Sequence, residues 1–215
     1  MNSEDDHDFR EDDGLHEYRL PEDEDERGDD DTPSRNVWAL FFGIMMNPVE
    51  GWKDLRRSGI SVDRIGFGLF LPVSAAAALS DFCKLYYDSN ISFLEILINA
   101  VLTFISFFIG YFIAVVASKI LLPKETKNFL FTNFGKAMAM LSISTLALFH
   151  IADEILPIFE PIFYFLPLWT VYIIVKGMKF VKIRENRSSY TLGVMCVTIV
   201  GAPIFVEWVF SLFSF

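Results

Sequence analysis

The hydrophobic positions of this chain form long continuous runs. Five runs lie at residues 65–87, 93–120, 130–155, 161–181 and 189–213. Each has at least the ~20 residues that an α-helix needs to cross a bilayer core of ~30 Å. None of them alternates apolar with polar residues over ~10 positions, as transmembrane strands do. The pattern predicts an all-α membrane protein, with a bundle of about five transmembrane helices over residues 65–215.

A shorter apolar and aromatic stretch, residues 36–46, precedes the first run. Its 11 residues are too few to span a bilayer, and Trp38 within it suits the headgroup boundary. Asn47-Pro48 then predicts the start of another helix, because Asn is a favoured N-cap and Pro fits the first helical turn. Glu50 follows at the third helical position, where a negative charge is favourable.

The helix predicted after Asn47 has one apolar and one basic surface. Val49, Trp52 and Leu55 recur every three residues, and the cations lie on the remaining surface. This pattern is typical of an amphipathic helix lying on anionic lipid headgroups; the alternative is a short helix docked on the bundle. We predict interfacial helices over residues 35–64, with the lipid-binding side chains Trp38, Trp52, Lys53, Arg56 and Arg57.

The formal net charge of −10 conceals two different parts of the chain. Residues 1–34 hold 16 acidic and 3 basic residues, with Leu15 and Leu20 as their aliphatic residues. Such a segment buries too little apolar surface to offset the entropy lost on ordering, which predicts a disordered tail. It is either a plain solvated tail or one that contacts a basic partner.

The remaining charges predict an orientation. Lys and Arg cluster before the first run, between the second and third, and after the fourth, whereas the loops between these clusters are mainly acidic. Cytoplasmic loops carry the excess of Lys and Arg, so the N-terminus is predicted to be cytoplasmic and the C-terminus to lie on the far side. A cleavable signal peptide is not predicted, because residues 1–34 contain no apolar stretch.

Ionisable side chains inside the runs are the candidate functional residues, because charge within a bilayer is costly. Asp81 and Lys84 are one helical turn apart, and they either pair or extend toward the membrane surface. His150, Asp153 and Glu154 share one face of the third run. That spacing fits a site that binds a metal ion or a proton. It fits equally well a helix that simply ends in polar residues.

The last run adds two features. Glu207 lies late in the run and is predicted to face the His150 group within the bundle. Gly201-Ala202-Pro203 predicts a bend or local unwinding, because Pro lacks an N–H and clashes with the preceding turn. The candidate polar cluster of the bundle is therefore Asp81, Lys84, His150, Asp153, Glu154 and Glu207.

Sequence signatures of enzymes are not found: there is no phosphate-binding glycine loop, HExxH or GxSxG motif. Cys83 and Cys196 lie inside apolar runs, so we predict small buried side chains, and their spacing gives no zinc signature. These features predict a non-enzymatic protein without a cofactor, a bound metal or a nucleic-acid partner.

Short motifs are spread over residues 38–213: Asn47-Pro48, Trp52, Leu71-Pro72, Gly110-Tyr111, Leu168-Trp169-Thr170-Val171-Tyr172, Gly177 and Tyr190. Together they resemble the Yip family (Ypt/Rab-interacting-protein domain), in particular its bacterial branch. The resemblance implies a five-span fold with a cytosolic N-terminus, and a bacterial inner membrane as the location. Eukaryotic members are associated with Rab GTPases and carry an Asp-Leu-Tyr-Gly-Pro motif, which this sequence lacks.

Two functions follow as expectations. The first is a membrane scaffold or adaptor that binds anionic lipid headgroups on its cytoplasmic side and an unidentified membrane or cytosolic protein, with homo-oligomers as a further option. The second is a small transporter or channel-like protein for an ion or small solute, which would use the polar cluster. Lipid handling ranks third.

Overall fold

The computed structural model describes residues 36–87, 91–124, 126–159, 161, 165–181 and 185–212, so the predicted disordered tail lies outside the described residues. No strand occurs in this part of the chain. The main helices are α1 (Val37–Met46), α2 (Pro48–Ser58), α3 (Val62–Tyr87), α4 (Phe93–Leu121), α5 (Asn133–Ile155), α6 (Leu166–Met178) and α7 (Glu185–Ser211).

Four of the described helices are long and apolar enough to cross a membrane: α3, α4, α5 and Ser188–Phe210 within α7. The all-α membrane class is therefore confirmed, with four full-length spans among the described residues where the sequence predicts about five. In the described part of the run at 161–181, α6 has 13 residues, which extend about 20 Å at 1.5 Å per residue. Pro167 lies in the first turn of α6, where a missing N–H costs no intrahelical hydrogen bond.

The surface of α4 shows how the bundle meets the membrane. Only a third of its most apolar segment is buried inside the protein. A row of exposed apolar side chains follows the helix from end to end, which is the surface that lipid tails cover: Phe93, Leu94, Leu97, Ile98, Val101, Ile105, Phe112, Val116 and Ile120.

The opposite side of α4 packs against α7, the most extensive helix contact in the described fold. The two helices approach closely where Gly110 faces Pro203, since a Cβ on Gly110 would lie 2.7 Å from Pro203. The helix α7 continues through Pro203 without interruption, so the predicted local unwinding is not seen. The missing side chain of Gly110 leaves room for the proline ring.

The bundle has two chemically different ends. At one, the Tyr190 hydroxyl donates to the Leu121 carbonyl oxygen (3.1 Å), so α7 begins beside the end of α4. At the other, the Tyr87 hydroxyl of α3 donates to the carbonyl oxygen of Ile155, the last residue of α5 (3.1 Å). Because α5 finishes at the second end and α7 begins at the first, the segment that contains α6 connects the two ends of the bundle. We name them the basic end, where α3 begins, and the acidic end, where α3 finishes.

Two irregular turns shape α3. A π-helical segment, Gly66–Phe70, precedes Pro72, and the Leu71 N–H donates to the Gly66 carbonyl oxygen. This wider turn adapts the hydrogen bonding to a proline that has no N–H of its own. Near the acidic end, a 3₁₀ turn at Asp81–Cys83 tightens the helix and Asp81 is buried.

Candidate functional site

Three helices bring charged side chains together at the acidic end. Asp81 and Lys84 come from α3, Glu154 comes from the last turn of α5, and Glu207 comes from α7. The central residue is His150 of α5, which lies one turn before Glu154. The two groups of charged residues that the sequence shows in separate runs are thus one cluster in space.

The contacts within the cluster are short. Lys84 Nζ lies 2.9 Å from Glu154 Oε1 and 3.4 Å from Asp81 Oδ1. His150 Nε2 lies 3.3 Å from the same Asp81 oxygen and 4.0 Å from Glu154 Oε1. On the other side of the ring, His150 Nδ1 lies 3.7 Å from Glu207 Oε1. Each of the two imidazole nitrogens therefore faces at least one carboxylate.

A cavity of about 300 Å³ opens beside these contacts. Asp153, the remaining residue of the predicted cluster, lines it together with the five residues above. The α4 side chains Asn99 and Thr103 also line it, and sequence reasoning missed both. The sequence contains a signal for both, because they are polar residues four apart in a mainly apolar run, and residues four apart on a helix share a face.

The electrostatics of the cavity favour a cation. Four carboxylates line it, Asp81, Asp153, Glu154 and Glu207, against the single ammonium of Lys84. Asp81 is only 1% exposed, and removing a carboxylate from water costs several kcal/mol unless partners compensate. Compensation is incomplete here, since Asp81 Oδ2 and Asp153 Oδ1 are buried without a standard hydrogen bond from the described residues.

Three of these residues present suitable atoms for a metal ion. The ligand atoms of Asp81, His150 and Glu154 all lie within 4.8 Å of one another. The same atoms also suit proton transfer, because an imidazole placed between carboxylates accepts a proton on one nitrogen while releasing one from the other. The cluster therefore has the chemistry of a cation or proton site.

The second predicted site, the interfacial residues, needs one correction. Trp52 is fully buried, so it does not face lipid. Its indole Nε1 donates to the Ile173 carbonyl oxygen of α6 (2.9 Å), and its ring lies against Gly177. Gly177 has no side chain, which leaves a space on α6 that the indole fills. The alternative of a helix docked on the bundle describes α2 correctly.

The other interfacial residues lie on the surface. Trp38 is 37% exposed, Arg56 and Arg57 are exposed, and Lys53 is half-buried. The helices α1 and α2 pack closely, because a Cβ on Gly51 would lie 2.5 Å from the Ile44 backbone. We call α1 and α2 the platform, which α6 supports.

Comparison with protein-family models, curated proteins and solved structures found no match. The resemblance to the Yip family therefore stays a prediction. The charged cluster and the platform are the features on which a function can be argued.

Proposed function

We propose that the chain is a non-enzymatic membrane scaffold or adaptor of the Yip type, which binds protein partners at or in the membrane. The observation that carries the proposal is the way α2 is fixed. Burial of Trp52 and its hydrogen bond to Ile173 hold α2 on α6, with Arg56 and Arg57 exposed. A rigid basic surface of this kind suits an acidic partner or anionic lipid headgroups.

The orientation belongs to the same proposal. Lys and Arg are concentrated at the basic end, and the positive-inside tendency assigns that end to the cytoplasm. The platform then faces cytosolic proteins, and the N-terminus is cytoplasmic. The last helix finishes at the acidic end, on the far side. We propose the bacterial inner membrane as the location, following the resemblance to the bacterial branch.

A small-cation transporter is the second candidate, and the charged cavity favours it. Toward the basic end, however, fully buried apolar side chains fill the space between the described helices: Ile65, Leu69, Met138, Leu141 and Ile173. Transport would require a second conformation that opens this packing. We rank the scaffold first because it needs only the observed arrangement.

Charge reversal on α2 tests the scaffold. The full chain carrying Arg56→Glu and Arg57→Glu should lose partners that co-purify with the wild-type protein from native membranes, with at least a tenfold drop in their yield by quantitative mass spectrometry. Both side chains are exposed, so folding should be unaffected. The physical reason is repulsion of an acidic partner by a surface that formerly attracted it.

The matched control reverses two exposed cations elsewhere, Lys124→Glu and Lys127→Glu, in the segment after α4. This variant should retain the partners. An equal loss in both variants would show a general charge effect, and full retention by the α2 variant would refute the platform as the binding surface. Removing residues 1–34 from the wild-type chain separately tests the acidic tail.

A further inference from the structure

We infer that Asp81, His150 and Glu154 form a binding site for a divalent transition-metal ion of the Zn²⁺ class, with Glu207 orienting His150. This site lies at the opposite end of the bundle from the platform, and it does not depend on the scaffold proposal. It would bind a metal equally well in an adaptor or in a transporter.

The spacing of the ligand atoms fits such an ion. Zinc lies ~2.0–2.2 Å from oxygen and nitrogen ligands, which places tetrahedral ligands roughly 3.3 Å apart. Asp81 Oδ1 and His150 Nε2 are 3.3 Å apart. Glu154 Oε1 lies 4.0 Å from the same nitrogen and all three ligand atoms lie within 4.8 Å of one another, so a closure of up to about 1.5 Å brings them to this spacing. Because His150 and Glu154 are four residues apart on α5, one helix fixes two of the three ligands.

Two further observations point to a ligand. Asp81 is 1% exposed and lines the cavity; Thr103 is a hydrogen-bonding neighbour of its carboxylate, but Oδ2 has no hydrogen bond of standard geometry from the described residues and can accept a metal–ligand bond. Glu207 lies 3.7 Å from His150 Nδ1. Metal-binding histidines almost always donate their second ring N–H to a carboxylate or carbonyl group, which fixes the ring and raises its basicity.

Lys84 occupies the cation position when no metal is bound. Its ammonium contacts both Glu154 Oε1 and Asp81 Oδ1, the two oxygens that a metal would need. The side chain is 37% exposed, so it has a route out of the cluster toward solvent. Lys84 and the metal therefore compete for the same carboxylates, and removal of the lysine should strengthen metal binding.

The donor set selects the class of ion. One imidazole nitrogen and two carboxylate oxygens suit Zn²⁺ and its divalent neighbours. Ca²⁺ and Mg²⁺ prefer oxygen ligands throughout, and Cu⁺ prefers thiolate or thioether sulfur. The cavity beside the three ligands leaves the fourth coordination position to water.

The test uses the full chain in detergent, purified without a histidine tag and stripped with a chelator. Titration with ZnCl₂ by calorimetry should give one Zn²⁺ per chain. His150→Ala should weaken binding at least 100-fold, and Glu207→Gln should weaken it 10–100-fold as an outer-shell change does. Lys84→Met should tighten binding at least tenfold. Ca²⁺ should bind at least 100-fold more weakly than Zn²⁺.

Glu95→Gln is the matched control, because Glu95 is an exposed carboxylate at the start of α4, and it should bind Zn²⁺ like the wild type. Co²⁺ bound to the wild type should show an absorption spectrum that His150→Ala abolishes. If His150→Ala does not fold, His150→Gln and Glu154→Gln replace it. Less than 0.2 Zn²⁺ per chain, Ca²⁺ binding as tight as Zn²⁺, or Lys84→Met binding no tighter than wild type would each overturn the inference.

Discussion

Trp52→Ala is expected to lower the free energy of unfolding by about 3–5 kcal/mol, the usual cost of truncating a buried tryptophan. The indole is fully buried, its Nε1 donates to Ile173, and its ring fills the space at Gly177. Alanine leaves a cavity between α2 and α6 and removes the hydrogen bond to the Ile173 carbonyl oxygen. Unfolding by SDS in mixed micelles, followed by far-UV circular dichroism, measures the change.

Trp38→Ala provides the control, because Trp38 is the other tryptophan predicted to be interfacial and is 37% exposed. Its loss should cost less than about 1 kcal/mol. A small and equal cost for both variants would mean that Trp52 contacts lipid or detergent, contrary to the docked position of α2.

Lys84→Met is expected to cost about 2–3 kcal/mol when the unfolding is measured with a chelator present. Breaking a fully buried ion pair costs about 3–5 kcal/mol, because the remaining charge stays buried without a partner. The expected value is lower here because the lysine side chain is 37% exposed. Asp81, at 1% exposure, and Glu154 would be left beside each other with His150 as their only basic neighbour among the described residues.

The double variant Lys84→Met, Glu154→Gln separates charge from shape. It removes the negative charge of Glu154 together with the positive charge of Lys84. Its free energy of unfolding should therefore recover at least half of the loss seen in Lys84→Met alone. Lys127→Met removes an exposed lysine and should change stability by no more than about 0.5 kcal/mol. Failure of the double variant to regain stability would show that Lys84 acts through packing of its stem.

Apolar run length predicted α3, α4, α5 and α7, because a bilayer sets a minimum length that composition alone reveals. The same rule failed at residues 161–181. The mean hydropathy of about twenty residues hardly changes when one of them is Pro167. The missing N–H of that proline nevertheless determines where α6 can begin. Pro72 and Pro203 lie within the full-length spans α3 and α7, so run length fails at a proline that begins a helix and not at every proline.

The apolar surface of α2 could be predicted, but not what covers it. Val49, Trp52 and Leu55 recur with the same period whether they meet lipid tails or the side of another helix, because both environments are apolar. For Trp52, the nearby position of Gly177 in the folded chain shows that a helix, and not lipid, covers the indole. The sequence alone does not show that Trp52 and Gly177 lie close together.

The charged cluster was predictable in part. Helical spacing groups Asp81 with Lys84, and His150 with Glu154, since residues three or four apart share a face. Joining the two pairs requires the packing of α3 on α5, which local spacing does not specify. The position of Glu207 beside His150 matches the expected facing of these two residues. Asn99 was overlooked because a neutral amide in an apolar run carries no charge signal.

We propose that the platform and the charged cluster lie on opposite sides of the membrane, although only four of the described helices have full length. Single cysteines at two exposed positions test it: Arg57→Cys on α2 and Leu212→Cys just after α7. Both are made in a Cys83→Ala, Cys196→Ala background and labelled with a membrane-impermeant maleimide in spheroplasts and in inverted vesicles.

The structure predicts that the two positions are labelled in opposite preparations. With the proposed orientation, Arg57→Cys reacts only in inverted vesicles and Leu212→Cys reacts only in spheroplasts. Labelling of both positions from the same side would mean that α6 does not carry the chain across, and it would contradict the account.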